Sequence, residues 1–340
     1  MTKTWLIDSI SPTFVHPTLK LPISVLLARH PESLVPIIPT TTPLPLKETP
    51  MIMAIFNATP DSFSDGTPSH VNTETALSSI STILSSPHAP DVLDIGGMST
   101  RPNSTPCTEE EELNRVVPLI KAIRAEEKWN KVIISIDTYR PSVAKAAIEA
   151  GADIINDVRG GREDGMLETM ADLGCPVILM HSRGDSKTMT HVTSQTYQEG
   201  VVEGVRTELG TITELAIKKG IRSWDIILDP GIGFAKSPEQ SVDLLKRVGE
   251  ISTLSTEGGG GWKYPILVGA SRKGFVGKIT GKEVAGERGW GDAVVNAFCT
   301  NPAVQGEDSA GVEILRVHDW RGARESVKMA KALVSNSERS

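Results

Sequence analysis

Eight short apolar runs, each followed by a polar residue, constrain this fold most. The polar residues are Asn57, Asp94, Asp137, Asn156, His181, Asp229, Ser271 and His318. Parallel strands buried on both faces read as continuous Val/Ile/Leu runs, and each needs a helical crossover to reach its neighbour. The segments between the runs are long enough for such crossovers. Eight units of this kind predict an α/β fold, the TIM (β/α)8 barrel, whose C-terminal strand ends face one cavity.

The same runs predict where the strands lie. The expected ranges are 51–56, 92–95, 132–136, 153–155, 176–180, 226–228, 266–268 and 313–317. A helix is expected over 108–128, because Thr108 can cap it and four glutamates follow. A second helix is expected after Ser237, with Pro238 in its first turn.

The first 48 residues differ from the rest of the chain. Residues 33–45 are rich in Pro and Thr and carry no charge, which is typical of an extended linker. We therefore expect two parts: an N-terminal Pro-rich extension over 1–48 and a barrel over 49–336. Deleting the extension should leave the activity of the barrel intact.

Charge and composition exclude several classes of protein. A net charge of -7 argues against a nucleic-acid surface, which needs clustered Lys and Arg. No apolar stretch reaches the length of about 18 residues that a membrane span requires, and no secretory signal is visible. Three cysteines without metal-ligand spacing suit a reducing compartment. The expected location is cytoplasmic, with the mitochondrion as the alternative.

Seven motifs in order give the chain a family resemblance. They are FNATPDSFSDG, LDIGGMSTRPNS, SIDTYRPSVAKAAIEAGADIINDV, ILMHSRGD, ILDPGIGFAK, LVGASRKGFVG and LRVHDW. Over residues 51–334 the chain resembles dihydropteroate synthases of the kind found in fungal folate enzymes. The resemblance implies condensation of 6-hydroxymethyl-7,8-dihydropterin diphosphate with 4-aminobenzoate, which gives dihydropteroate and pyrophosphate. It also implies a homodimer.

The resemblance assigns a pterin pocket whose residue types suit the ligand. A pterin edge carries an amide and an amine, so its pocket needs carboxylates and an amide that both donates and accepts. The matching pterin-binding residues are Asp137, Asn156, Met180, Asp229, Phe234 and Lys273. Taken singly, Asp137 also reads as a helix cap, Asp229 as a turn aspartate and Lys273 as a surface lysine.

The diphosphate needs positive charge and hydroxyl or amide groups. The assigned diphosphate-binding residues are Asn57, Thr100, Arg101, Arg316 and His318. Arg316 and His318 are two residues apart, so both side chains point to the same face of a strand. By resemblance, Asn57 is also the metal ligand, for a Mg2+ ion that keeps its waters and shares diphosphate oxygens.

The third ligand is 4-aminobenzoate, for which the resemblance implies Phe63, Pro102, Lys273 and Gly274. The implied catalytic residues are Lys273, Asp65 and Arg101. By this resemblance, Asp65 is expected to stabilise a transient pterin cation after the diphosphate departs, and Arg101 the departing group. Asp65 also reads as a solvated turn residue.

The chain departs from the family pattern in four places. Met98 stands where Glu is common, Gly274 where Ser is common, and Ala235 and Asn103 where Gly is common. Gly274 lacks a hydroxyl that would face the aminobenzoate carboxylate, so affinity for that substrate and for sulfonamides stays open. The first 48 residues also resemble the tail of a pyrophosphokinase that precedes the synthase in fungal multifunctional chains.

Three other functions are compatible with parts of the pattern. A barrel that moves a methyl group from a folate to a corrinoid would keep the pterin residues but needs neither STRP nor SRK. A binding protein without catalysis would explain Met98 and Gly274. An aldolase would use Lys273 as a Schiff-base lysine.

Overall fold

Parallel strands follow one another around a closed sheet. The computed structural model describes residues 49–59, 73–98, 107–130, 132–184, 188, 191–254, 262–300 and 312–334. The strands are β1 (Met51–Asn57), β2 (Val92–Gly96), β3 (Ile133–Asp137), β4 (Ile154–Asp157), β5 (Val177–Met180), β6 (Ile226–Asp229), β7 (Thr253–Leu254), β8 (Trp262–Lys263), β9 (Leu267–Val268) and β10 (Ile314–Val317). The sheet order is β6-β5-β4-β3-β2-β1-β10-β9, and a parallel bridge between Leu228 and Ile266 joins its two ends. Strands β7 and β8 form a separate antiparallel pair.

Helices connect the strands. They are α1 (Thr73–Leu84), α2 (Glu109–Ala125), α3 (Pro141–Glu149), α4 (Met166–Leu173), α5 (Val201–Lys218), α6 (Pro238–Lys246), α7 (Gly274–Thr280), α8 (Gly289–Thr300) and α9 (Trp320–Val334). The predicted barrel is confirmed, and each predicted strand agrees with the structure to within two residues at either end. Thr108 caps α2 as predicted and forms a reciprocal capping box with Glu111. Helix α2 ends at Ala125, earlier than predicted, because Glu126 has an extended backbone.

Strand alternation sorts the barrel interior into layers. One layer is wholly apolar and buried: Met51, Met53, Val92, Ile133, Ile154, Ile178, Ile227, Leu267 and Ile314. Side chains two residues further along a strand lie on the same face. Two residues on from Val92, Ile154, Ile178, Ile227 and Ile314 stand Asp94, Asn156, Met180, Asp229 and Arg316. The next interior layer toward the C-terminal ends is therefore mostly polar.

The predicted extension over 1–48 lies outside the described residues, so its role as a linker stays a prediction. In the part of the chain that the structure describes, no helix combines the length and apolarity needed to cross a lipid bilayer.

Candidate active site

Arg316 lies at the centre of the polar layer and joins two acids from other strands. Its Nε donates to Asp94 Oδ2 at 2.6 Å, and an Nη donates to Asp137 Oδ2 at 2.5 Å. Asn156 Nδ2 donates to Asp94 Oδ2 at 3.2 Å. Asp94 is fully buried, and Asn156 and Asp137 are nearly so. Four strands thus supply one connected hydrogen-bond network inside the barrel.

One guanidinium in this network faces two buried carboxylates. Burial raises the pKa of Asp137 to about 7, although Arg316 acts to lower it. Burial acts to lower the pKa of Arg316, but the neighbouring carboxylates of Asp94 and Asp137 outweigh it and raise that pKa above its usual range. Asp137 can therefore hold a proton near neutral pH, so this carboxyl group can donate as well as accept a hydrogen bond.

Asp229, at the end of β6, and Lys273, at the N-cap of α7, lie close enough to Arg316 for their charges to interact with it. Asp229 Oδ1 accepts a hydrogen bond from the backbone N–H of Gly231 at 2.7 Å. Lys273 Nζ lies 3.6 Å from the centroid of the Phe234 ring, a cation–π contact. Burial, followed by the positive charge of Arg316, lowers the pKa of Lys273 to about 7. Burial raises the pKa of Asp229 above its ordinary value.

An apolar wall stands beside these polar groups. Its buried members are Met98, Tyr139, Val158 and Met180, with Phe234 and Cys107 packed against them. The hydroxyl of Tyr139 donates to the Met98 sulfur at 3.5 Å. Flat apolar side chains next to carboxylates and an amide suit a planar, nitrogen-rich heterocycle.

The remaining described residues of the predicted site stand at the same end of the barrel. His318 Nδ1 lies 3.2 Å from Ser271 Oγ, and that hydroxyl donates to Asp292 Oδ2 at 3.0 Å. Asn57 ends β1 and pairs in register with Gly96 at the end of β2. Gly274 begins α7, and a Cβ placed on it would have no atom within 4 Å.

Five predicted site residues fall in the loops after β1 and β2. Phe63, Asp65, Thr100, Arg101 and Pro102 lie outside the described residues, and their roles stay predictions. The ligands assigned to Asn57, Gly274, Arg316 and His318 stay predictions as well. For Arg316 the structure shows pairing with Asp137 of the predicted pterin pocket and with Asp94.

The expectation that all eight strand-end side chains meet at one cavity is wrong for His181. Its imidazole contacts Glu208 of α5 and Lys236 instead. The reason is alternation: Met180 faces inward, so the next residue faces outward. The sequence reading also left Asp94 without a role, although the spacing of Asp94 from Val92 places it in the same interior layer as Asn156 and Asp229.

The fold and this network define a class, a (β/α)8 barrel whose C-terminal end is built to hold a small heterocyclic molecule. The chain belongs to the pterin binding enzyme family, whose model matches residues 53–318.

Relatives of named function align with most of this chain. The folic acid synthesis protein fol1 of Schizosaccharomyces pombe is 39% identical over 326 residues, which is 96% of this chain and 42% of that protein. The chain thus spans about two fifths of that fungal relative. The dihydropteroate synthase of Synechocystis is 40% identical over 283 residues, which is 83% of this chain and 89% of that protein. The Burkholderia cenocepacia dihydropteroate synthase complexed with 7,8-dihydropteroate superposes with a TM-score of 0.71 at 32% identity, covering 85% of this chain and 92% of the other.

Proposed function

We propose that this chain is a dihydropteroate synthase of folate biosynthesis, a transferase that joins 6-hydroxymethyl-7,8-dihydropterin diphosphate to 4-aminobenzoate. The products are 7,8-dihydropteroate and pyrophosphate. The observation that carries the proposal is the connected set Asp94, Asp137, Asn156 and Arg316, with Asp229 and Lys273 beside it. Relatives that carry this name cover most of the described barrel.

The reaction breaks one C–O bond and forms one C–N bond. We propose that the C–O bond breaks first, with its electron pair leaving on the diphosphate. The resulting positive charge is shared between the methylene carbon and the dihydropterin ring. The aminobenzoate nitrogen then attacks the carbon and loses a proton. No protein nucleophile takes part, so catalysis rests on positioning and electrostatics.

The protein groups have separate tasks in this scheme. Asp137, Asn156 and Asp229 hold the polar edge of the pterin, and each charge-assisted hydrogen bond of the two carboxylates contributes about 1.5 to 3 kcal/mol. Carboxylates at this depth also favour the cationic ring over the neutral one. The ammonium of Lys273, fixed over Phe234, lies between the pterin and the aminobenzoate. Arg316 and His318 lie toward the diphosphate.

The experiment that tests this function is an assay of both products. Purified protein is mixed with the pterin diphosphate, Mg2+ and 4-aminobenzoate, and dihydropteroate and pyrophosphate are quantified. The proposal predicts equal amounts of the two and no product without 4-aminobenzoate. Pterin binding without turnover would indicate the non-catalytic alternative. Methyl transfer to a corrinoid, or trapping of Lys273 by borohydride with a carbonyl substrate, would indicate the methyltransferase or the aldolase.

Magnesium is proposed to enter with the diphosphate. Among the described residues no group of three or more His, Cys, Asp or Glu side chains could hold a metal ion. Asn57 offers one amide oxygen at an interior strand end, which fits a metal carried mainly by phosphate oxygens and water. In that role Mg2+ neutralises charge on the leaving group.

Chelation should therefore abolish turnover, and Asn57→Ala should raise the Mg2+ concentration needed for half-maximal rate. In calorimetric titrations, Mg2+ should increase the affinity for the pterin diphosphate less in this variant than in the wild type. Asn130→Ala, at an exposed position, is the matched control. An identical Mg2+ dependence in Asn57→Ala and wild type would remove Asn57 from the metal site.

We also propose a homodimer through an apolar surface on α7, α8 and the connection between them, formed by Ile279, Val284, Trp290 and Val294. These side chains are 62%, 61%, 88% and 69% exposed. Helices α7 and α8 pack closely there, because a Cβ on Gly291 would lie 2.4 Å from Val276. An exposed tryptophan within an apolar patch is typical of an interface hot spot.

Trp290→Arg should weaken the dimer by at least about 30-fold, the value of a hot-spot loss near 2 kcal/mol. Sedimentation velocity over a concentration series measures this. Leu333→Arg on α9, where the leucine is 74% exposed, is the control and should leave the dimer intact. A wild-type monomer at all concentrations, or a dimer insensitive to Trp290→Arg, would contradict this surface.

A further inference from the structure

Lys236 is a buried lysine that the reaction scheme above does not use. It is 5% exposed, and its Nζ donates to the carbonyl oxygens of Gly231 at 3.1 Å and Phe234 at 2.9 Å. The third neighbour is His181 Nδ1 at 3.0 Å. A buried ammonium is tolerated only when its hydrogens have acceptors. Burial lowers the pKa of Lys236 to about 7, and in the ammonium form its three hydrogens match these three acceptors.

His181 links this lysine to helix α5 through Glu208. Burial and the positive charge of Lys236 lower the pKa of His181 to about 3, so the imidazole is neutral. Because Nδ1 faces the ammonium, the ring proton lies on Nε2 and points to Glu208 Oε2 at 3.1 Å. Glu208 is in turn paired with Arg183. A series of contacts therefore connects α5 to the loop after β6, by way of Glu208, His181 and Lys236.

That loop, residues 230–236, carries two groups of the proposed active site. The Gly231 N–H donates to Asp229, and the Phe234 ring lies beneath the Lys273 ammonium. The loop backbone is strained: Ala235 has a φ of 49° without being glycine. Such a conformation persists only where the surroundings fix it. The surroundings here are Lys236 and the Tyr197 hydroxyl, which donates to the Ala235 carbonyl at 3.2 Å.

We propose that Lys236 is a positioning residue: by holding the carbonyl groups of Gly231 and Phe234, it fixes the ring beneath Lys273 and the N–H that serves Asp229. The inference deepens the proposed function and rests on it. The link to chemistry is the position of Phe234, because Lys273 cannot keep its place over a ring that moves. A displacement of about 1 Å at such a site costs up to about 100-fold in rate.

The first test replaces Lys236 by methionine, which keeps the chain length and removes the donors. We expect kcat to fall and KM for the pterin diphosphate to rise, with kcat/KM for that substrate lowered about 10- to 100-fold. Lys246→Met, at the exposed end of α6, is the matched control and should behave as wild type. Wild-type kinetics in Lys236→Met would overturn the inference.

A double-variant comparison separates positioning from a general structural role. If Lys236 acts through Phe234, adding Lys236→Met to Phe234→Ala should lower kcat/KM by much less than Lys236→Met does alone. Independent, multiplicative losses would overturn the inference. If Lys236→Met does not fold, Lys236→Gln replaces it in both experiments. The glutamine amide still donates hydrogen bonds to the carbonyl groups, so this variant should lose less activity than Phe234→Ala.

Failure of the proposed function is distinguishable from failure of this inference. The former shows as a wild type without turnover. In that case the same variants are titrated with 6-hydroxymethylpterin, and Lys236→Met should bind it at least about tenfold more weakly than Lys246→Met. Equal binding would overturn the positioning role, whatever the reaction is.

Discussion

Replacing Lys273 by alanine should lower kcat/KM for the pterin diphosphate by at least about a hundredfold, as removal of other preorganised electrostatic groups does. The side chain stands over Phe234 and next to the charges of Arg316, Asp229 and Asp137. Its loss removes a cation from the position where pterin and aminobenzoate meet. Product formation and the far-UV circular dichroism spectrum are the two measurements, and the spectrum should not change.

Lys278→Ala is the control for this variant, because Lys278 lies on α7, the helix that Lys273 caps, and its side chain is 67% exposed. Its pairing with Glu239 at 3.9 Å is a surface contact of little energetic value. We expect wild-type kinetics. Wild-type activity in Lys273→Ala itself would contradict the site as described.

Arg316→Met should destabilise the fold as well as abolish activity. Removing one partner of a buried ion pair costs about 3 to 5 kcal/mol, because the remaining charge stays buried without compensation. Here two carboxylates, Asp94 and Asp137, lose their shared guanidinium. Urea unfolding measures the stability, and the product assay measures the activity.

The stability loss of this variant should depend on pH. Burial already raises the pKa of Asp137 to about 7, and Arg316 acts to lower it, so the variant raises it further. A raised carboxyl pKa in the folded state favours folding at low pH and loses that benefit as the pH rises. The difference between wild type and Arg316→Met should be larger at pH 8 than at pH 5. Arg247→Met, which breaks an exposed pair with Glu250, should show almost no loss at either pH.

Much of the fold was predictable because buried parallel strands leave a strong pattern. Continuous apolar runs fixed each strand to within two residues, and the strand order of the barrel follows from the chain order. The convergence of Asp137, Asn156 and Asp229 was predictable for the same reason, since strand ends share one cavity. The inward side of each strand was predictable too, and applying it would have placed His181 outside the cavity.

The contacts between distant segments were not predictable. Arg316 joins Asp94 across 222 residues, and the pairing depends on how the closed barrel sets the strands against one another. Lys236 reads in sequence as an ordinary lysine before a helix cap. Its burial follows from the folded structure, in which its side chain contacts His181. The metal role predicted for Asn57 and the diphosphate role predicted for Arg316 came from the motif resemblance. Residue type alone did not identify either ligand.

The central claim is that the polar C-terminal end of the barrel interior forms a single pterin site, and a calorimetric titration with 6-hydroxymethylpterin tests it most directly. We predict one molecule bound per chain. Asp137→Ala and Asp229→Ala should each weaken binding by about 10-fold or more, the value of one lost charge-assisted hydrogen bond, and Asn156→Ala, which removes a neutral amide, should weaken it by less. Binding that none of the three substitutions changes would place the ligand elsewhere and contradict the account.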